Sequence, residues 1–330
     1  MKCMCGLIED VWATVAGRRK WLVLSLLPLL ASACAAQAQF RVDVRLINVA
    51  FSVRDAGGAL ITNLGQDDFE VSEDGVPQRI SFFARATDVP LNLGLIVDFS
   101  SSQGNFVKPH HKDLETFLKT VLTPQDRAFL VGFASNPYLL TELTASAKEI
   151  MSALQRFENP KNRLAFPMLG QTEIRDRCCN TAFYDAIYDP IVQLLEPVEK
   201  GRRAALIFSD GEDNLSAKTE IDAIEAAQNA DTVLYSIRYT ETRNGRMTAR
   251  NKYGTSVMQR MARDTGGEEF DARESGLAED FRRIAEQLHS SYEIAYHTTN
   301  PVNDGSFHKI GIRVKQPDLV ARAKTGYYAR

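Results

Sequence analysis

The types and spacing of five residues in this sequence, two with carboxylates and three with hydroxyls, suggest that they could bind a metal ion. Asp98, Ser100 and Ser102 occur at alternate positions directly after a short apolar run, residues 93–97. That run is long enough for a buried strand and too short for a helix. In an open α/β sheet, ligands bind in the crevice beyond such strand ends. We therefore predict that this loop holds a divalent cation.

The remaining ligands are predicted from two later stretches. Thr181 opens an expected helix, and Asp210 follows a second apolar run, residues 204–208. Strand ends of one parallel sheet share an edge, so Asp98 and Asp210 can meet there and the Thr181 hydroxyl can reach the same place. Considered singly, each has a simpler explanation, because Asp98 could cap a helix, Thr181 could be an N-cap and Asp210 could form a turn with Gly211. Their joint placement favours a metal site.

The chemistry of these side chains indicates which ion they would hold. All are hard oxygen ligands, which suit Mg²⁺, Mn²⁺ or Ca²⁺ and argue against zinc or copper. Only two carboxylates contribute charge, so the ion would stay electrophilic toward an outside ligand. Because Mg²⁺ prefers six ligands, an open position at the surface predicts docking of an Asp or Glu from a protein partner.

The pattern of the chain around these residues predicts three regions after its N-terminal segment. Residues 39–88 alternate as β-strands do, with a turn at Asp74-Gly75. Residues 89–290 alternate between strands and helices, which is typical of a Rossmann-like, doubly wound and mostly parallel α/β sheet. Residues 291–330 return to β alternation. Each β-rich flank is too small for its own core, so we expect the two to pack into one small all-β unit.

Finer expectations concern four segments. A returning strand is predicted at residues 79–83, a helix at 181–195 that Pro190 bends or divides, and a polar loop at 241–251. His110-His111, near the start of a charged helix, are predicted to be solvated rather than catalytic.

The proposed ligands occur in a characteristic order along the chain: Asp98-x-Ser100-x-Ser102, then Thr181, then Asp210-Gly211. This order resembles the metal-ion-dependent adhesion site of von Willebrand factor type A (VWA) domains. The resemblance covers residues 91 to about 290 and implies the fold just described. It also implies that Ser100 and Ser102 bind the ion directly, and that the two aspartates bind it directly or through water. Thr181 would be the ligand that joins or leaves as the site changes state.

The chain departs from the family pattern at two positions, with Ser101 in place of Gly and Gln103 in place of Met. Neither is a ligand position, so the departure concerns the shape of the loop. Motifs in the two flanks make the resemblance more specific. They are similar to motifs of secreted VWA-related proteins described from Acidobacteria, and they read Asp68-Phe-Glu-Val-Ser-Glu-Asp-Gly, His308-Lys-Ile and Thr325-Gly-Tyr-Tyr-Ala. That family implies a fold and a metal site and brings no settled biological role.

The N-terminal segment predicts export. Basic residues at 18–20 precede an apolar run from Trp21, and Ala36-Gln-Ala38 forms a cleavage site, so residues 1–38 are predicted to be a secretory signal peptide. The apolar run is short for a membrane span. An alternative stays open, because residues 31–34 resemble a bacterial lipobox and a lipidated Cys34 would anchor the protein to a membrane. Cys178-Cys179, in a loop that precedes Thr181, could form a local bridge, a redox pair or partner contacts.

Composition excludes some functions and leaves three open. The chain has 330 residues, and its formal net charge of −3 gives no reason to expect nucleic acid as a partner. We expect an exported, non-enzymatic binding protein, either an adhesion or a scaffold module, in the periplasm, the cell envelope or the extracellular space. The alternatives are a structural envelope component whose metal only stabilises the fold, and a metal-dependent hydrolase, for which no general base is clearly placed.

Overall fold

The strands and helices follow one another in the predicted order. The computed structural model describes residues 45–87, 89–170, 180–242, 246–273, 276–300 and 303–329. Its strands are β1 (Leu46–Arg54), β2 (Phe69–Glu73), β3 (Val76–Gln78), β4 (Ile80–Thr87), β5 (Leu91–Asp98), β6 (Arg127–Phe133), β7 (Pro137–Thr144), β8 (Arg202–Ser209), β9 (Thr232–Arg238), β10 (Glu269–Asp271), β11 (Ser290–His297), β12 (Phe307–Val314), β13 (Val320–Ala323) and β14 (Gly326–Tyr328). Its α-helices are α1 (Val107–Val121), α2 (Ala147–Glu158), α3 (Phe183–Pro190), α4 (Glu220–Asn229), α5 (Ala249–Thr265) and α6 (Leu277–His289).

A six-stranded sheet in the order β10-β9-β8-β5-β6-β7 forms the centre of the α/β part. All neighbouring strands are parallel except β6 and β7, which are antiparallel. Every residue of β5 is buried, as expected for an apolar strand that is covered on both faces. This is the predicted doubly wound, mostly parallel sheet, and the prediction of the fold class is confirmed.

Three helices pack on each face of this sheet. On one face α1, α2 and α6 bury Leu114, Ile150 and Ile284 against the strands. On the other face α3, α4 and α5 bury side chains such as Ile224 and Met258. The chain therefore leaves β5 toward one face and β8 toward the other, so a crevice opens between these two neighbouring strands at their carboxyl ends.

The flanks form the predicted all-β unit. Two four-stranded sheets, β13-β1-β11-β4 and β14-β12-β2-β3, take strands from both ends of the chain. Their facing sides share one apolar core, in which the rings of Phe51 and Phe69 lie 5.0 Å apart and Tyr292 stacks on Phe51 at 5.4 Å. Neither flank supplies this core alone, which is why strands from both ends are needed.

Some finer expectations were wrong at their boundaries. The strand that returns after Asp74-Gly75 is β3, whose residue Val76 pairs with Glu73. The chain then changes sheets at Arg79, and β4 pairs with β11 instead. A helix begins within the predicted polar loop, because Thr248 forms a capping box for α5.

Other predictions stand differently. The helix near Pro190 is divided as predicted, since α3 ends at Pro190 and a π-helical turn, Ile191–Leu195, follows it. The signal peptide, Cys34 and Cys178-Cys179 lie outside the described residues, and the domain boundaries stay predictions. Among the described residues, no helix combines the length and the apolar character that crossing a membrane requires.

Candidate metal centre

The loop after β5 brings its carboxylate and hydroxyls together. Oδ1 of Asp98 accepts a hydrogen bond from the backbone N–H of Ser100 at 2.8 Å, which folds the loop back over the strand end. The hydroxyl oxygens of Ser100 and Ser102 lie 3.1 Å apart. Two oxygens bound side by side on one octahedral Mg²⁺, each at about 2.1 Å, would be about 3.0 Å apart. The two serines therefore fit adjacent positions of such an ion.

The end of β8 joins this loop through Ser209. The register pairs Val97 with Phe208, which places Ser209 beside Asp98 at the edge of the sheet. The Ser209 hydroxyl donates to Oδ2 of Asp98 at 2.6 Å and accepts from the backbone N–H of Gly211 at 3.1 Å. Ser209 thus fixes one carboxylate and the turn that carries the next one. Sequence analysis did not assign it a role.

Asp210 is held by Gln103, a second residue whose role sequence analysis missed. The Gln103 amide donates to Oδ2 of Asp210 at 2.8 Å and to the backbone carbonyl of Tyr239 at 3.2 Å. The other carboxylate oxygen of Asp210 accepts from the backbone N–H of Glu212 at 3.1 Å. Gln103 is fully buried. The one sequence feature that could have indicated a role for Gln103 is that it stands where VWA domains usually have Met.

The two carboxylates of Asp98 and Asp210 are buried, and the charge of one acts on the other. Asp98 is 0% exposed and Asp210 is 2% exposed. Among the residues the structure describes, the ion pairs include neither aspartate. Burial and the neighbouring charge of Asp210 raise the pKa of Asp98 to about 7, although hydrogen bonds from Ser209 and Ser100 oppose this. A bound cation would oppose both causes, because its positive charge favours the ionised form of each carboxylate.

The four carboxylate oxygens of the two aspartates keep free acceptor capacity between them, although the Ser100 side chain also hydrogen-bonds to Asp98. An ionised carboxylate oxygen has two lone pairs, and each of these four oxygens accepts one of the hydrogen bonds whose distances are given above. Asp98, Asp210, Ser100 and Ser102 therefore present an oxygen donor set that fits a hard divalent cation, either directly or through water.

Thr181 lies at the same edge but is attached differently. Its side chain and backbone are buried, with 4% exposure, just before α3. Its backbone N–H donates to the side chain of Asn214 at 2.7 Å, and its carbonyl accepts from the N–H groups of Asn214 and Leu215, each at 3.1 Å. Within the described part of the chain, no hydrogen bond joins Thr181 to the other four predicted ligands. The loop that follows Asp210 thus positions it.

Two glycines allow the Asp210 turn to pack against α5. Gly211 has a φ of +75°, and a Cβ built on it would lie 2.5 Å from the carbonyl oxygen of Gly254. A Cβ on Gly254 would lie 2.3 Å from the carbonyl oxygen of Asp210. The turn therefore requires glycine at both positions.

The acidic residues beside the site have structural contacts. Glu212 binds Arg250 at 2.7 Å and accepts from Asn251 at 3.3 Å, which ties the turn to the first turn of α5. Asp213 accepts from the backbone N–H of Phe183 at 2.9 Å and so caps α3.

The prediction for His110 was wrong. Its ring is 1% exposed and packs edge-on against Tyr239 at 4.3 Å, and burial lowers its pKa to about 3. His111 is half-buried and lies 2.8 Å from Glu158.

A second group of ligand-type residues lies in the all-β unit. Atoms of Glu73, Asp74 and His308 lie within 4.8 Å of one another. His308 is 2.7 Å from Asp74, and Glu73 accepts from the hydroxyls of Tyr296 at 2.8 Å and Thr298 at 2.6 Å. These contacts connect the N-terminal and C-terminal flank motifs quoted above. They also give the carboxylates of Glu73 and Asp74 hydrogen-bond partners without a metal ion.

Comparison with known proteins finds similarity at the level of structure. No protein-family model matches the sequence. No curated protein sequence is significantly similar to it.

Several VWA domains are among the solved structures to which this chain is similar. A von Willebrand factor type A protein from Catenulispora acidiphila is 12% identical, with a TM-score of 0.45 and coverage of 88% of this chain and 74% of that chain. The von Willebrand factor domain of the type V pili tip protein Mfa5 from Porphyromonas gingivalis is 13% identical, with a TM-score of 0.42 and coverage of 61% and 95%. Proximal thread matrix protein 1 from the mussel byssus, with a zinc-occupied adhesion-site motif, is 13% identical, with a TM-score of 0.47 and coverage of 66% and 50%. None of these similar structures tests the resemblance to the Acidobacteria family.

Proposed function

We propose that this protein is an exported, metal-dependent protein-binding module of the VWA type. Asp98, Ser100, Ser102, Thr181 and Asp210 would hold a divalent cation, Mg²⁺ by preference. An Asp or Glu of a protein partner would complete its coordination. The observation that carries the proposal is the pair of buried aspartates, which form no ion pair with any described residue, beside two hydroxyl oxygens 3.1 Å apart.

The balance of charge supports binding to an acidic partner. Two carboxylates neutralise a divalent ion, and the serine and threonine hydroxyls add no further negative charge. The chain therefore adds no negative charge beyond that needed to balance the ion. A coordination position is left for one carboxylate of a partner. In this scheme the chain's own residues hold and orient the ion, and Gln103 and Ser209 hold Asp210 and Asp98 in place.

Export is supported by the N-terminal sequence. Residues 1–38 have the basic segment, the apolar run and the small-residue cleavage site of a secretory signal. The protein would then act in the periplasm, the cell envelope or the extracellular space, and on a membrane surface if Cys34 were lipidated. Mass spectrometry of the mature N-terminus would distinguish cleavage after Ala38 from lipidation at Cys34.

The metal site is tested by titration of the purified protein. We expect one Mg²⁺ or Mn²⁺ per chain by calorimetry, and loss of that binding in Asp98→Ala and in Asp210→Ala. Asp67→Ala, which removes an exposed carboxylate far along the chain, is the matched control and should bind as wild type does. Equal binding in wild type and in both site variants would reject the site.

The class of function is tested separately. Wild type and Asp98→Ala, each attached to beads, would be exposed to envelope extract with Mg²⁺ or with EDTA. Proteins captured only by wild type in Mg²⁺ would support the binding function. A large loss of melting temperature in Asp98→Ala without any metal-dependent capture would favour the structural role. Metal-dependent turnover of ester or phosphate substrates would favour the hydrolase.

A further inference from the structure

A cavity of about 320 Å³ lies where the all-β unit meets the other end of the α/β sheet. It is enclosed by one face of β1, the beginnings of β8 and β9, and the end of α6. Its apolar lining includes Ala50, Val233 and Leu288. Its polar lining includes three arginines, Arg202, Arg203 and Arg322, so we call it the arginine cavity.

Hydrogen-bond donors without acceptors point to a ligand in the arginine cavity. Gln287 is 4% exposed, its Oε1 accepts from the Tyr235 hydroxyl at 3.1 Å, and its Nε2 is buried without a partner among the described residues. Nε of Arg203 is likewise buried and unpartnered. Among the described lining residues, no buried side-chain acceptor lacks a partner. A buried donor left unpaired costs about 1–3 kcal/mol, so an acceptor is expected here.

Arg54 extends this donor set beyond the lining. It follows Ser52 on the same face of β1, and its Nε and Nη2 are both buried without partners, although Nη1 donates to the carbonyl of Gly58 at 2.6 Å. Its charge acts on Tyr235, as do the charges of Arg202 and Arg322. Glu268 acts on Tyr235 in the opposite direction, and the Tyr235 hydroxyl donates to Gln287.

Three acidic residues, Glu199, Asp231 and Glu293, also line the cavity, but none of them accepts from Nε2 of Gln287 or Nε of Arg203. Glu268 accepts from Arg322 at 2.8 Å and also lies 3.6 Å from Arg283. Asp231 is bound to Lys324 at 2.5 Å. Burial and the charge of Arg283 lower the pKa of Arg54, whereas Glu268 raises it, so the surroundings of Arg54 are net positive.

We propose that the arginine cavity binds a small organic anion. Its carboxylate or phosphate head would accept hydrogen bonds from Nε2 of Gln287 and from Arg54, beside the Tyr235 hydroxyl. Its apolar body would lie against Ala50, Val233 and Leu288. A guanidinium group and an amide present donors of the kind that carboxylate and phosphate oxygens accept.

The test uses the full-length protein and three probes that share one tail: hexanoate, hexyl phosphate and hexylamine. We expect calorimetric binding and a raised melting temperature with one or both of the anions and neither effect with the amine. Which anion binds identifies the head group. No response to either anion, or an equal response to the amine, would overturn the proposal.

Two variants place the binding at this cavity. Arg54→Met removes the guanidinium donors, and Gln287→Glu supplies a fixed carboxylate in the place of the anion. Both should weaken anion binding at least tenfold, and Gln287→Glu should melt at a higher temperature than wild type without any ligand. Arg313→Met, at an arginine that pairs with Glu70 on the exposed side of β12, is the matched control. Unchanged anion binding in both variants, or a crystal structure that shows only ordered water on these donors, would refute it.

Discussion

At the level of single residues, Gln103 is where this metal centre departs from the pattern it resembles. A methionine at that position could not hydrogen-bond to Asp210 as an amide does. Here the Gln103 amide donates to Oδ2 of Asp210 at 2.8 Å, while its Oε1 is buried without a partner. The bond orients the carboxylate and also occupies one of the lone pairs that a cation would use.

Gln103→Met tests which of these effects is larger. We expect Mg²⁺ to bind at least about tenfold more tightly, since the cation no longer competes with a hydrogen bond to a charged group, which is worth about 1.5–3 kcal/mol. The stability of the metal-free protein should change by less than about 1 kcal/mol, because the unpaired Oε1 disappears together with the bond to Tyr239. Calorimetry and urea unfolding measure the two quantities. Weaker Mg²⁺ binding in this variant would mean that orientation of Asp210 dominates.

The raised pKa of Asp98 predicts how stability depends on pH when no metal is bound. Its value in the unfolded chain is about 3.9, and in the folded protein it is about 7. Between these values the folded state binds more protons than the unfolded state, so stability falls as pH rises through that window. Urea unfolding in EDTA at several pH values should show this fall, and Asp98→Asn should lose most of it. Saturating Mg²⁺ should raise stability most at the upper end of the window, and a flat profile in wild type would contradict the prediction.

Some residues of the site could be predicted from the sequence, and others could not. Asp98, Ser100 and Ser102 form a local pattern directly after an apolar strand, so a short stretch of sequence suffices to find them. The contact of Gln103 with Asp210 joins residues that are far apart in the chain, and no local spacing encodes it. The burial of His110 against Tyr239 also depends on how α1 packs, which its sequence position does not show.

At the level of elements, the turn after β8 and the helix α5 were less predictable than the strands. Strand β5 is a continuous apolar run, whereas the first turn of α5 is polar and its start is set by the Thr248 capping box. The change of sheet at Arg79 occupies a single residue between β3 and β4, too short for a turn pattern. Length and apolar content thus predicted the buried elements, and single polar residues decided their boundaries.

The packing of the Asp210 turn on α5 predicts a large effect of one methyl group. In Gly211→Ala the Cβ would meet the carbonyl of Gly254 at 2.5 Å, in addition to the cost of a positive φ. Gly58→Ala is the matched control, since Gly58 has a φ of +83° with nothing within 4 Å of its Cβ position. We expect Gly211→Ala to lower the free energy of unfolding by about 2 kcal/mol more than the control does, and to weaken Mg²⁺ binding. Equal losses in urea unfolding would show that the close contact does not matter.

At the level of the whole molecule, the all-β unit and the metal centre occupy opposite ends of one sheet. The metal centre lies at the carboxyl ends of β5 and β8. The all-β unit contacts the other end, where Lys324 binds Asp231 just before β9 and the backbone N–H of Thr325 donates to Asp264 at 3.0 Å. The all-β unit therefore leaves the carboxyl ends of β5 and β8, where the proposed metal ligands lie, uncovered by its own strands.

Glu73 tests whether these two ends are independent. It is 2% exposed and accepts hydroxyl hydrogen bonds from Tyr296 at 2.8 Å, Thr298 at 2.6 Å and Tyr327 at 3.2 Å, so one carboxylate joins both flanks of the chain. Glu73→Ala would leave these hydroxyls without their acceptor and should lower the free energy of unfolding by about 3 kcal/mol, with a smaller loss in Glu73→Gln. Because Glu73 makes no contact with the sheet end that carries Asp98 among the described residues, the Mg²⁺ affinity of the folded variant should equal that of wild type. A calorimetric loss of Mg²⁺ binding below the melting temperature would show that the all-β unit supports the metal centre directly.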